Sequence, residues 1–141
     1  MLFPDINVWL VLVFAAHVHH SPAKAWFDGL PVEVDCRFCR LTQQGFLRIA
    51  TNPKAFGAEA LTLVDAWQAY DQLLGDPRIG FAEEPAQLEA EWRQQTQSAS
   101  FSPQVWSDAY LAAFAIAAGG TLVTFDKGFS RYQSLNKQIL A

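Results

Sequence analysis

Short apolar runs of strand length recur along this chain, each followed by a longer stretch with helical spacing, and that alternation narrows the folds open to it. Residues 2–5 and 121–125 are the clearest runs of the first kind. Residues 6–14 and 105–118 are apolar nearly all round, as expected of helices lying close to a core. Between them the pattern predicts a helix over 21–30, opened by a Ser21-Pro22 cap and closed by Gly29 and Pro31. It predicts a strand over 32–35 and a helix over 42–51 ended by Thr51-Asn52-Pro53. A helix over 61–74 would carry Leu63, Trp67, Tyr70 and Leu74 on one face. A strand over 78–81, a helix over 85–97, a second Ser102-Pro103 cap before residue 105, and a last strand over 138–140 complete the reading. Strands alternating with helices imply βα units, hence an α/β protein with a parallel sheet covered on both faces.

A length of 141 residues fits one domain, 1–141, and an apolar fraction of 51% favours a folded globule over disorder. The apolar stretch over 6–16 is broken by Asn7 and too short for a bilayer, and no basic leader accompanies it. The expectation is a soluble cytoplasmic protein with no membrane partner. Cys36 and Cys39 form a C-x-x-C pair with no second pair to complete a zinc site, so they read as two buried or half-buried thiols. A net charge of −4 argues against a protein that wraps duplex nucleic acid by phosphate neutralisation, although it leaves a nuclease open.

Three aspartates carry the chemistry. Asp5 and Asp126 come where apolar runs end, and Asp108 lies in the first turns of the helix near Pro103. In open α/β folds the site lies at the carboxyl edge of the sheet, and lone acids beside apolar residues need a partner. If the three converge, a hard divalent cation with oxygen ligands relieves their repulsion most simply, Mg²⁺ or Mn²⁺. Such an ion would orient an attacking water and offset charge on the phosphoryl oxygens of a phosphodiester. Asn7 and Thr124 are candidates to orient the carboxylates. Each residue also has a plainer reading. Asp5 can cap the next helix, Asp108 can stabilise its helix N-terminus, and Asp126 can be a turn residue before Lys127-Gly128. His17, His19 and His20 read as surface loop histidines. Trp26, Trp67 and Trp106 read as core or interface anchors, and Arg48, Lys54, Lys127 and Arg131 as solvated charges near turns, within reach of a phosphate.

Phe3-Pro4-Asp5-Ile6-Asn7-Val8, the segment from His20 to Trp26, Gly45-Phe46-Leu47-Arg48 with Thr51-Asn52-Pro53, and Ser107-Asp108-Ala109-Tyr110-Leu111-Ala112 leading to Thr121-Leu122-Val123-Thr124-Phe125-Asp126 occur in an order that resembles the PIN-domain ribonucleases, within them the VapC-type toxins. The resemblance covers nearly the whole chain. It implies a PIN-like three-layer α/β/α sandwich with a central parallel sheet, and Mg²⁺ or Mn²⁺ at an acidic cluster of Asp5, Asp108 and Asp126. It further implies cleavage of single-stranded RNA regions, a homodimer, and inhibition by a VapB-like antitoxin. The chain departs from the family where further acids are usual: Gly45, preceded by Gln43 and Gln44, stands at one such position and Gly128 at another. Fewer acids weaken metal binding, so a catalytically weak module that docks RNA or an antitoxin is the competing reading. A phosphatase or phosphotransferase of another doubly wound fold is a third, opposed by Asn7 where a nucleophilic aspartyl phosphatase carries a second aspartate.

Overall fold

The computed structural model describes residues 1–141. Its strands are β1 (Leu2–Pro4), β2 (Cys36–Phe38), β3 (Ile79–Phe81), β4 (Thr121–Thr124) and β5 (Lys137–Ile139). Its helices are α1 (Ile6–Val13), α2 (His20–Asp28), α3 (Arg40–Ala50), α4 (Pro53–Phe56), α5 (Leu63–Leu74), α6 (Leu88–Thr96) and α7 (Val105–Ala117). The strands form one sheet in the order β3-β2-β1-β4-β5, every pair parallel. Parallel neighbours require crossovers, and helices supply them on both faces.

Side chains alternate across the sheet and divide the apolar residues into two cores. On one face Trp9 of α1, Phe38 of β2, Phe46 of α3 and Tyr70 of α5 pack together, with Trp9 stacked on Phe38 at 3.9 Å between ring centroids. On the other, Phe3 of β1 and Leu122 of β4 meet Leu88 of α6 and Leu111 and Phe114 of α7, with Phe3 edge-on to Phe114 at 5.3 Å. Truncating Phe38 or Phe114 to alanine should cost roughly 3–5 kcal/mol, the usual range for a buried aromatic. The alanines of α7 explain its close seat: Ala109, Ala112, Ala113 and Ala115 are all fully buried. The result is the expected α/β/α sandwich.

Several local expectations fail. The second strand does not lie over 32–35, where Val32 is 75% exposed, but at Cys36-Arg37-Phe38, with Cys36 and Phe38 wholly buried. Alternation over 32–35 marks a turn, and the true strand was hidden inside the C-x-x-C pair, whose thiols are both free and buried. Ser21 does not cap α2, which starts at His20 after His19 with no side-chain cap. Ser102 does not cap α7 either, since Gln104 precedes its first residue. The apolar stripe of α5 also splits. Tyr70 is buried, while Leu63 and Trp67 face outward.

Candidate active site

Register places the site. Pairing of Pro4 with Val123 sets Asp5, just past β1, level with Thr124 at the end of β4. Asp5 caps α1, its Oδ1 accepting the Ile6 N–H at 2.7 Å, and its Oδ2 accepts the Thr124 hydroxyl at 2.9 Å. The same Thr124 Oγ1 accepts the Asp126 N–H at 3.0 Å and the Asn7 side-chain amide at 3.5 Å. A hydroxyl has one proton and two lone pairs, so this wholly buried threonine is fully used in tying the turn after β4 to the carboxylate after β1. Asn7 Oδ1 accepts the Phe125 N–H at 3.5 Å, a longer second tie. Asp126 turns its Oδ1 to the Gly128 N–H at 2.7 Å, capping the short 3₁₀ turn Lys127–Arg131.

Asp108 reaches the same edge from the first turn of α7. Its Oδ2 accepts from Arg131 Nη2 at 3.1 Å, and that nitrogen also donates to the Tyr132 hydroxyl at 3.0 Å, with the guanidinium 4.8 Å from the Tyr132 ring centre. Burial pushes the Asp5 carboxyl up to about 6; its hydrogen bonds from Thr124 and Ile6 oppose the rise, and the charges of Asp108 and Asp126 add to it. Asp108 is also raised, chiefly by burial, with Arg131 pulling it down and Asp126 pushing it up. Asp5 therefore feels both other acids from its place at the sheet edge, even though Asp5 and Asp126 also serve the capping roles of their plainer readings.

The carboxylates are hard oxygen donors of the kind that takes Mg²⁺ or Mn²⁺, while Thr124 and Asn7 are spent on holding the turn. No three acid, histidine or cysteine side chains stand close enough to enclose an ion between them. A shared ion would therefore meet at most one or two of these carboxylates directly and take water for the rest of its shell.

The two glycines have steric explanations. A Cβ on Gly45 would lie 2.1 Å from Ile6 Cδ1, because α3 crosses α1 at that point. An acid there would have to displace the residue next to Asp5. A Cβ on Gly128 would lie 2.9 Å from Asp126 Oδ1 and 3.3 Å from Arg131 Nη1. Of the amides before Gly45, Gln43 is buried and accepts from Arg40, whereas Gln44 is exposed in a groove shared with Ser107 and Tyr110, beside Asp108.

Other candidates scatter. His17 and His19 are exposed; His19 stacks on Phe125 at 4.8 Å, next to Asp126, and His20 Nδ1 lies 2.6 Å from the Val11 carbonyl. Arg48, Lys54 and Lys127 are solvated, and Trp67 and Trp106 are exposed. Sequence reasoning missed the Asp108–Arg131–Tyr132 tie. Its only sequence signal was a cation a few residues past Asp126.

A model of the PIN domain matches residues 2–135. The chain belongs to the PIN-domain family. It is 45% identical to ribonuclease VapC41 of Mycobacterium tuberculosis, with 100% of this chain and 99% of that one covered. It is 33% identical to ribonuclease VapC43 of the same organism, over 96% of this chain and 92% of the other. Among solved structures, VapBC2 of Rickettsia felis bound to a promoter DNA fragment superposes with a TM-score of 0.74 at 14% identity, covering both chains in full. VapC20 of M. tuberculosis, a sarcin-ricin loop cleaving toxin, gives 0.66 at 20% identity over 94% of this chain and 95% of that one. The sandwich, the parallel sheet and the VapC-type resemblance anticipated from the motifs are thus borne out.

Proposed function

We infer that this PIN-domain protein is an endoribonuclease of the VapC type, a toxin that cleaves single-stranded regions of RNA and is held inactive by a cognate VapB-like antitoxin. The observation that supports the reading is the Thr124 tie between Asp5 and the Asp126 turn, with Asp108 held by Arg131 of that turn, in a chain of full-length likeness to a named ribonuclease. Asp5, Asp108 and Asp126 would hold Mg²⁺ or Mn²⁺, which would supply charge compensation at the phosphoryl oxygens and an ordered attacking water. Thr124 ties the Asp5 carboxylate to the backbone of the turn that carries Asp126, and Asn7 braces that turn. Arg131 offsets the Asp108 charge and stands where an entering phosphate would meet it. The exposed apolar residues of α5 are the surface for a two-fold homodimer.

The test is cleavage of single-stranded RNA by the isolated chain. Activity should vanish in EDTA, return with Mg²⁺ or Mn²⁺, and be lost in Asp5→Asn and Asp126→Asn with the fold retained. Cleavage that persists in the double variant and in chelator would make the aspartates structural. One observation favours a second reading, an RNA- or antitoxin-docking module with weak catalysis: Gly45 is packed against Ile6, and neither it nor Gly128 supplies the further acid that the resemblance leads one to expect. RNA binding without cleavage in the presence of metal would select it.

A further inference from the structure

Beside the acids, the segment between α6 and α7 folds over an open cleft of about 540 Å³ lined by Gln94, Gln95, Ser98, Phe101, Arg131 and Tyr132 among others. The volume lies within the roughly 300–1,000 Å³ typical of small-ligand sites. The cleft adjoins the acids through Arg131, whose Nη2 is 3.1 Å from Asp108 Oδ2, and through Val105, one turn before Asp108 on α7.

Its chemistry differs from the rest of the surface. The chain carries 14 acidic residues against 10 Lys and Arg, yet no carboxylate lines this cleft, and its one charge is the Arg131 guanidinium. Amides and hydroxyls make up most of the remaining polar lining. Gln94 and Gln95 each carry an amide donor and acceptor, the pattern that reads a base edge, with the Gln95 nitrogen resting on Glu91 Oε2 through a long 3.5 Å contact that a base could replace. At the rim Phe101 is 84% exposed, a flat ring with little else to cover it. A lone exposed aromatic says nothing by itself. An aromatic, a guanidinium and paired amides around one acid-free cleft are the parts that bind an unstacked nucleotide. The neighbouring cleft of about 570 Å³ lacks this character, since Glu89 and Arg93 line it and pair with each other.

We propose that the cleft between the α6–α7 segment and Arg131 seats a nucleotide flanking the scissile bond of single-stranded RNA. In it Phe101 stacks on the base, Gln94 and Gln95 read the base edge, and Arg131 takes the phosphate. This rests on the ribonuclease reading and deepens it, because it places sequence preference in residues that do not touch the reacting atoms.

The experiment titrates labelled homopolymer hexamers (rA, rC, rG and rU) into the full chain in EDTA at low salt, with KM and kcat for cleavage measured separately in Mg²⁺. Phe101→Ala should weaken binding of the preferred hexamer by roughly 5- to 100-fold, the range for one lost stacking contact. It should raise KM with little change in kcat, since a binding contact away from the reacting centre is lost. Gln94→Ala with Gln95→Ala should flatten the preference among the four hexamers. Arg131→Ala should weaken all four alike and reduce the salt dependence. Val32→Ala, at the turn before β2 and so at the opposite edge of the sheet, is the control and should bind as the native chain does. If the native chain cleaves RNA while Phe101→Ala and the double glutamine variant keep native affinity, KM and preference, the subsite is overturned and the ribonuclease reading stands. If the native chain cleaves no RNA in metal, that reading falls. Binding that still depends on Phe101 would then support a nucleotide cleft in a docking module, and binding that ignores it would overturn both.

Discussion

Asp5 has two tasks, capping α1 and carrying charge among acids, and its protonation shows which dominates. Its carboxyl titrates near about 6 in the fold, above the ordinary value of 3.8. The folded state therefore holds a proton through that interval which the unfolded chain has already released. Without metal, the charged group costs stability progressively as pH rises from 4 through 6. Asp5→Asn has no such titration, so its stability relative to the native chain should improve by on the order of 2 kcal/mol between pH 4 and pH 7. Urea unfolding in EDTA at several pH values measures this, and a pH-independent difference would contradict it. Thr124→Val removes the hydroxyl on which Asp5 and Asp126 both depend. It leaves a part-buried N–H without an acceptor, at a cost of roughly 1–3 kcal/mol, and should lower cleavage about 10- to 100-fold. Thr124→Ser should restore most of both, as melting and initial rates would register. Asp5 and Asp126 were legible as candidates from their position at the ends of apolar runs, and Asp108 from its place in the first turns of a helix. The pairing of Arg131 with Asp108 was not, because a cation 23 residues away along the chain declares its partner only once α7 and the turn after β4 lie side by side.

At the scale of elements, helices were easier to read than strands. Eight or more residues of helical spacing survive a misplaced cap, as α2 and α7 show. A three-residue strand leaves almost no period to detect, so β2 was placed four residues early. The stripe on α5 failed differently: spacing identifies a face but not what covers it, and only Tyr70 of that stripe is fully buried. The crossing of α1 and α3 yields its own prediction. Gly45→Asp, which places an acid where the resemblance leads one to expect it, should destabilise the fold by about 1–3 kcal/mol through overpacking on Ile6. Combining it with Ile6→Ala should recover much of the loss. Thermal melts of the four proteins in that cycle decide the matter; additive effects would mean that the two residues do not compete for one space.

For the whole molecule, the apolar side chains left outside are as informative as those within. Leu63, Val64 and Trp67 on α5 are 72%, 67% and 51% exposed, an apolar patch that association would cover. We expect a dimer at micromolar concentration in sedimentation, shifted to monomer by Leu63→Asp with Trp67→Ala while the melting transition remains cooperative. A native chain that sediments as a monomer would remove the basis for that assembly. The Thr124 hydroxyl, finally, determines how the site fails. It joins the ends of β1 and β4, which lie side by side within the sheet, so the edge strand β3 can open without disturbing it. The carboxylate pair should then persist through local fluctuation and come apart only with global unfolding. On heating, activity should fall in step with the main transition, and the amides of Asp5 and Asp126 should exchange among the slowest in the protein.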